Sequence, residues 1–294
     1  MVDLSAVILS YNTHDITRTT LEKLQESLLK SPSVRSEIIV VDNASQDHSW
    51  EMLEKSVTHF RIPFHIVKND TNVGFPKGNN IGVSHAKGDF ILFLNSDVHI
   101  ESVDWHELLE YMRSHSQMGG LTVRVNLPNG EIDPASHRGF PTLWNSFCYY
   151  ARLEALTKHI PVLAGIFGGY HLTSQSLDRT HEVDAISGAF FLTKRKAFEE
   201  VRGFDEDFFM YGEDIDLAYR MKEKGLSIVY YPEHVVTHLK YQSGIKGGAQ
   251  KTKNVTKHYF YDAMRIFYRK HYEKKYPSWV NWLVYRFIDL KELV

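Results

Sequence analysis

Phe90-Ile91-Leu92-Phe93-Leu94-Asn95-Ser96-Asp97 is a run of five apolar residues that stops in three polar ones. A short continuous apolar run with such an ending predicts a strand buried on both faces. Similar runs lie upstream. Ala6-Val7-Ile8-Leu9 ends at Ser10-Tyr11-Asn12, Ile38-Ile39-Val40-Val41 ends at Asp42-Asn43, and Phe64-His65-Ile66-Val67 is a third. Helical spacing fills the gaps. Leu21, Leu24 and Leu28 share one face over about residues 17–29, and a second helix carries Trp50, Leu53 and Val57 with Ser45 as its N-cap. A loop from Gly74 to Gly78 opens a third helix through Ile81 and Val83. Buried strands alternating with amphipathic helices predict an α/β fold, a Rossmann-like and mainly parallel sheet with helices on both faces. Ligands of such sheets bind outside the carboxyl ends of the strands. Three polar clusters, at Ser10, Asp42 and Asn95, are therefore expected on one rim.

Downstream, residues 126–182 are less regular and rich in Gly, Pro, His and aromatics, which predicts an insertion over the sheet. Residues 186–192 read as a strand, 213–224 as a helix stopped by Gly225, and 227–231 as another strand. From Thr256 onward the chain reads as a helical, aromatic tail. The expected division is a domain over residues 1–255 followed by the tail 256–294. Within the domain, residues 1–125 and residues 126–255 are expected to form two parts.

The chain has 294 residues, 43% hydrophobic and 24% charged, with a formal net charge of -2. That balance supplies no overall field for nucleic acid. A single cysteine, Cys148, excludes an intramolecular disulfide framework and fits a reducing compartment. Met1-Val2-Asp3-Leu4 has no basic n-region, and no apolar run approaches the roughly 18–20 residues that cross a bilayer. The expectation is a cytoplasmic chain.

Four places carry chemistry. Asp97, at the end of a buried strand, can hold a divalent cation against a diphosphate. Asn, Ser and Asp equally suit a turn or a helix cap. Glu213-Asp214 opens a helix, where the macrodipole favours acids. Neighbouring Phe208, Phe209 and Tyr211 would also raise a carboxylate's pKa towards the range of a general base. His238 offers an imidazole ligand, although one His among 16 is more often structural. Phe75-Pro76-Lys77-Gly78-Asn79-Asn80 runs from a glycine into a helix N-terminus, which suits phosphate or ribose, yet it is neither a Walker loop nor a dinucleotide fingerprint.

Taken together, six blocks resemble the family 2 glycosyltransferases, in particular their bacterial rhamnosyltransferase-like branch. They are Val7 through Asn12, Ile39 through Ser45, Asn72-Val73-Gly74-Phe75 with Asn79 through Gly82, Phe93 through Asp97, Ser187-Gly188-Ala189, and Gly203-Phe204-Asp205 with Glu213 through Leu217. They keep the family's order over about residues 4–243. The resemblance implies the GT-A fold, an inverting reaction, and a divalent cation, Mg²⁺ or Mn²⁺. It implies that Asp42, beside Asn43, reads a pyrimidine ring and that Ser10, Tyr11 and Asn12 border the nucleotide. Gly74, Phe75, Asn79, Asn80 and Asn95 would lie near ribose or diphosphate, and Ser96, Ser187, Gly188 and Glu213 would complete the substrate site. Asp97 takes the metal-binding place in the Asp-x-Asp position, with Asn95 where the first acid is usual. His238 matches a histidine that often completes the metal site, and Asp214 matches the catalytic base. Lys77 stands where relatives often carry small residues, so it is placed to contact phosphate.

The implied donor is TDP-rhamnose or a UDP-sugar. The implied acceptor is a polysaccharide or glycolipid precursor in surface polysaccharide synthesis. Residues 129–133 and 137–142 resemble the same branch on its acceptor side. The tail, with Trp279, Trp282, Leu283, Tyr285 and Phe287 after Lys270, Lys274 and Lys275, suits a peripheral contact with the inner face of the cell membrane. It equally suits packing on its own domain or in a homodimer. A nucleotidyltransferase would need a basic Gly-rich loop near the N-terminus, which Ser10-Tyr11-Asn12-Thr13 does not supply. A catalytically silent nucleotide-sugar-binding protein is the alternative that an intact Asp214 argues against.

Overall fold

The computed structural model describes residues 1–240 and 250–293. The end of the stretch that carries the family resemblance, residues 241–243, lies outside the described residues.

The expected strands form as β1 (Leu4–Ser10), β2 (Ser36–Asp42), β3 (Phe64–Lys68) and β4 (Phe90–Asn95). They alternate with α1 (His14–Leu29), α2 (Ser49–Ser56) and α3 (Phe75–His85). β1, β2 and β4 are buried almost throughout because both sheet faces are covered. Alternation along each strand sends successive side chains to opposite faces. Leu4, Ala6 and Ile8 face a core shared with Leu21, Leu24 and Leu28 of α1 and with α4 (Trp105–Ser114). Val7, Ile39 and Val41 face a second core with α3, with α9 (Glu213–Glu223) and with α10 (Gln250–His271).

Seven of the remaining elements complete the sheet and its cover. They are β5 (Val98–Ser102), β6 (Met118–Asn126), β7 (His181–Val183), β8 (Phe190–Lys194), α8 (Arg195–Glu200), β9 (Ser227–His238) and α11 (Ser278–Leu293). The strand order is β3-β2-β1-β4-β8-β6-β9-β5, with β7 also paired to β9. The parallel expectation describes β3-β2-β1-β4. Beyond β4 the sheet is mixed, since β8 runs antiparallel to both β4 and β6, and β5 and β7 run antiparallel to β9. Strand order reverses between β1 and β4, and a crevice opens outside the carboxyl ends at such a switch point.

Local departures have local causes. Ser45 does not cap α2. Its N–H donates to Asp42 Oδ2 at 3.1 Å and its hydroxyl accepts from Asn12 N–H, while Asp47 Oδ1 takes the N–H and hydroxyl of Ser49. β8 starts at Phe190 rather than Ile186, because Gly188 N–H is turned to a carboxylate instead of a ladder partner. The irregular middle region contains three short helices, α5 (Leu143–Tyr150), α6 (Leu153–Thr157) and α7 (Pro161–Phe167). Thr142 caps α5 by accepting from Asn145 N–H, and Pro161 fits the first turn of α7.

Candidate active site

The crevice at the switch point is a cleft of about 1030 Å³. Tyr11, Asn43, Gly74, Phe75, Asn95, Ser96, Asp97, Ser187, Gly188, Glu213, Asp214 and His238 all line it. Residues spread over most of the chain thus meet in one place.

At the β1 and β2 end, register fixes the layout, because Ser10 pairs with Asp42 and Leu9 with Asn95. Asn43 anchors the loop above: its Oδ1 accepts from Asn69 Nδ2 and Val73 N–H, and its Nδ2 donates to Asn72 Oδ1. Gly74 has φ +85°, and a Cβ there would come within 2.6 Å of the Phe209 carbonyl. Only glycine accommodates both demands at that turn. Asp42 is fully buried behind the lining, with Oδ2 engaged by Ser45 and Oδ1 without a protein partner. An acceptor oxygen left open in a buried place fits a ring N–H donor on a ligand.

Several expected residues serve the scaffold instead. The Ser10 hydroxyl bonds to those of Thr13 and Thr17, and Asn12, at φ +53°, accepts from Gln46 N–H outside the cleft. Asn79 donates to the Phe75 carbonyl of its own helix. Asn80 donates to the Phe204 carbonyl and to Glu206 Oε1, and accepts from Phe204 N–H. Lys77 is exposed and does not line the cleft.

Asp97 and His238 meet because β5 and β9 pair with Val98 opposite His238. Leu239 N–H donates to the Asp97 carbonyl, and His238 Nε2 lies 3.3 Å from Asp97 Oδ1. Behind the imidazole, Nδ1 bonds Asp133 Oδ2 at 2.8 Å, and Lys240 Nζ donates to Asp133 Oδ1 at 2.6 Å. Burial alone would lower the His238 pKa, but its bonds to Asp133 and Asp97 push it up to about 9. Burial opposes ionisation of Asp133 too, and there the bonds from His238 and Lys240 win and hold it well below the usual carboxylate range. A carboxylate that fixes the far nitrogen of a histidine leaves the near nitrogen aimed for metal coordination. Among the described residues no group of three or more His, Cys, Asp or Glu could hold a metal ion. Asp97 and His238 offer two ligands at most, so a cation held there would have to complete its shell with phosphate oxygens and water.

The other acids belong to the first turn of α9, entered through Gly212 at φ +76°. They separate by partner. Asp216 is fully buried between Arg220 Nε and His271 Nε2, at 2.7 Å each, which ties α9 to α10. Asp214 Oδ2 accepts from Arg138 Nη2 at 2.8 Å and from Gly188 N–H at 3.3 Å, and Oδ1 accepts from Ile215 N–H. Glu213 Oε2 has no partner, and burial, with the Asp214 carboxylate beside it, raises its pKa. Arg138 and Asp133 line the cleft although the sequence assigned them no role beyond an acceptor-side stretch. The 137–142 stretch that resembles the acceptor side of the family was the signal for Arg138, and it did not indicate which acid it meets.

The family described as Glycosyl transferase family 2 matches residues 5–202, and Glycosyl transferase family group 2 matches residues 165–272. Rhamnosyltransferase WbbL of Escherichia coli (strain K12) is 26% identical over 239 residues, 79% of this chain and 81% of its own length. The N-acetylglucosaminyl-diphospho-decaprenol L-rhamnosyltransferase of Mycobacterium tuberculosis is 25% identical over 235 residues, 76% of this chain and 73% of its own. Among solved structures, GalNAc-T7 with UDP, GalNAc and Mn²⁺ superposes with a TM-score of 0.64 at 16% identity, over 90% of this chain and 47% of that one. S. aureus TarS gives 0.58 at 18% identity, over 90% of this chain and 39% of that one. At those identities the likeness speaks to the fold, and this chain spans less than half the length of either. With the family matched over most of the sequence and the sheet shared with its solved relatives, the chain belongs to glycosyl transferase family 2 and is a glycosyltransferase of GT-A fold, similar to the rhamnosyltransferases.

Proposed function

We propose that this glycosyltransferase moves a sugar with inversion from a nucleoside diphosphate donor to a hydroxyl of a lipid-linked glycan precursor. The observation that carries the reading is the single cleft shared by the Asp97–His238 pair and by Asp214. Residues 1–125 would bind the donor and residues 126–255 the acceptor. The open Oδ1 of Asp42 suits the ring N–H of a pyrimidine, which uracil and thymine both offer. TDP-rhamnose is the preferred donor, supported by the names of the two rhamnosyltransferase relatives, with UDP-sugars next. The name of the Mycobacterium tuberculosis relative also carries a diphospho-decaprenol acceptor, which supports the lipid-linked class. A mannosyltransferase from Pyrobaculum calidifontis, with a TM-score of 0.57, was solved with GDP-Man and Mn²⁺, which supports a divalent cation here.

In the proposed reaction the acceptor hydroxyl gives its proton to Asp214 as its oxygen bonds to the anomeric carbon. The bond from that carbon to the donor oxygen breaks on the opposite face, and its electron pair leaves with the nucleoside diphosphate. Arg138 and Gly188 N–H hold Oδ2, so the carboxylate meets the hydroxyl in one orientation, and its remaining lone pairs stay available. A divalent cation bound by Asp97 and His238 would offset the charge that collects on the departing diphosphate. The Asp133–His238 bond keeps the imidazole aligned for that role.

A thermal-shift panel of TDP-rhamnose, UDP-sugars and GDP-mannose, with Mn²⁺ or with chelator, tests the donor. A ligand that binds only the folded chain raises its melting temperature. Pyrimidine donors are expected to shift it in the presence of Mn²⁺ only, and a shift confined to GDP-mannose would reject the role given to Asp42. The anomeric configuration of the product, read by NMR, is expected to be inverted.

A further inference from the structure

Most large hydrophobic side chains that are exposed among the described residues lie on α5–α7 and α11. Leu156 and Val162 are 73% and 74% exposed on the first group, and Trp282 and Leu290 are 59% and 63% exposed on α11. Scattered exposed apolar residues are ordinary, whereas a gathered patch marks a contact surface. The two groups touch. Tyr150 at the end of α5 meets the Phe287 ring edge-on at 4.9 Å between centroids, and Lys291 Nζ lies over both rings. Trp144 joins α5 to α7 by donating from its indole N–H to the Ile166 carbonyl.

The cleft opens into this patch. Phe147, Tyr150, Leu283 and Phe287 line it as well as Asp214, so an apolar wall continues from the candidate base to the exposed helices. On α5–α7 the charge is one-sided, whereas α11 balances Arg286 and Lys291 with Asp289 and Glu292. From Pro134 to Leu177 the sequence has one acid, Glu154, which is 6% exposed and bonded to His171 Nδ1 at 2.7 Å. Arg152 and Lys158 in the same stretch are exposed. Exposed aliphatic and indole side chains, with Arg152 and Lys158 at the two ends of α6, match the interface of a bilayer that carries anionic headgroups.

We propose that α5–α7 and α11 together rest on an anionic phospholipid bilayer, with the mouth of the cleft turned to the lipid. An acceptor anchored by a long hydrocarbon chain then enters with its sugar foremost while the chain stays in the membrane. The orientation of the acceptor rests on the function proposed above, and the docking surface stands on the exposed residues alone.

The test is flotation of the full chain with vesicles of phosphatidylcholine alone or mixed with phosphatidylglycerol. Binding is expected with the mixed vesicles, weaker with phosphatidylcholine alone, and reduced by salt. The triple substitution Leu156→Glu, Val162→Glu and Trp282→Glu, at side chains outside the cleft lining, is expected to cut the bound fraction about tenfold or more. Val57→Glu, at an exposed site on the far side of the sheet order, is the control and is expected to bind like the unaltered chain. The donor-induced thermal shift, measured on the same variants, reports the nucleotide-sugar reading separately and is expected to stay unchanged. Absence of flotation by the unaltered chain overturns the proposal, as does equal binding by the triple variant. A dimer in light scattering that the triple substitution dissociates would assign the patch to a second copy and overturn it too.

Discussion

Arg138 and Asp214 carry opposite charges on side chains that are each only 11% exposed. Removing one partner of such a pair leaves the other charged and enclosed, at a cost of about 3–5 kcal/mol. Arg138→Ala is expected to lose stability of that order in urea denaturation, and Arg138→Ala with Asp214→Ala to lose less than the sum of the two single changes. Additive losses would mean that the pair does not form. This partnership was not legible in the sequence, because no spacing relates residue 138 to residue 214. Asp97 and Asp214 were legible, since one follows a strand and the other opens a helix that hydrophobic patterning already located, whereas His238 ends a strand that patterning followed only to residue 231. Lys77 and Asn80 were read as ligand-binding from their glycine-bounded loop, yet which face of α3 they occupy depends on how that helix packs, and packing sends them elsewhere.

At the scale of elements, Asn80 clamps α3 to Phe204 with two hydrogen bonds and to Glu206 with a third. Replacing it by alanine strands the Phe204 N–H and carbonyl. Asn80→Ala is expected to cost about 1–3 kcal/mol in denaturation while leaving donor affinity within twofold or so. A collapse of donor affinity without loss of stability would restore the ribose or diphosphate role implied by the family resemblance. Strands β1, β2 and β4 were clear from their apolar runs, and α1 from its leucine spacing. The start of β8 was not, because hydrophobicity continues through Ile186-Ser187-Gly188-Ala189 while the backbone there is committed to Asp214 and Asn95. The α2 cap was misplaced for a related reason: Ser45 and Asp47 are both good caps, and tertiary bonds to Asn12 and Asp42 occupy Ser45.

For the whole molecule, acidification acts in part through buried His137, which meets the half-buried His181. His137, 3% exposed, has Nε2 at 2.6 Å from His181 Nε2. Burial first, then the charge of His181, lowers the His137 pKa from 6.5 to about 4. Between those values the unfolded chain binds a proton that the folded chain refuses, so the stability that His137 contributes is complete above about pH 6.5 and falls as pH drops towards 4, against the opposite trend from Glu213, whose raised pKa favours the folded chain as pH falls. The contribution lost between pH 7 and pH 5 is about 2 kcal/mol. His137→Gln is expected to flatten urea midpoints over that range, and an unchanged slope would remove this pair as the cause. The overall α/β plan and the convergence of polar strand ends were readable from the sequence. The mixed half of the sheet was not, since strand direction beyond β4 is set by how the chain returns from α5–α7 into β8 and by the pairing of β5 with β9.

In the proposed reaction one cleft binds the donor and, at Asp214, removes the proton of the acceptor hydroxyl. Asp214→Asn keeps the shape of the side chain and removes its basicity. Measured on one preparation with the donor that gives the largest thermal shift, this variant is expected to bind that donor within about threefold of the unaltered chain and to transfer sugar some 10²–10⁴-fold more slowly. Transfer at an undiminished rate by Asp214→Asn would contradict the role of Asp214 as the base.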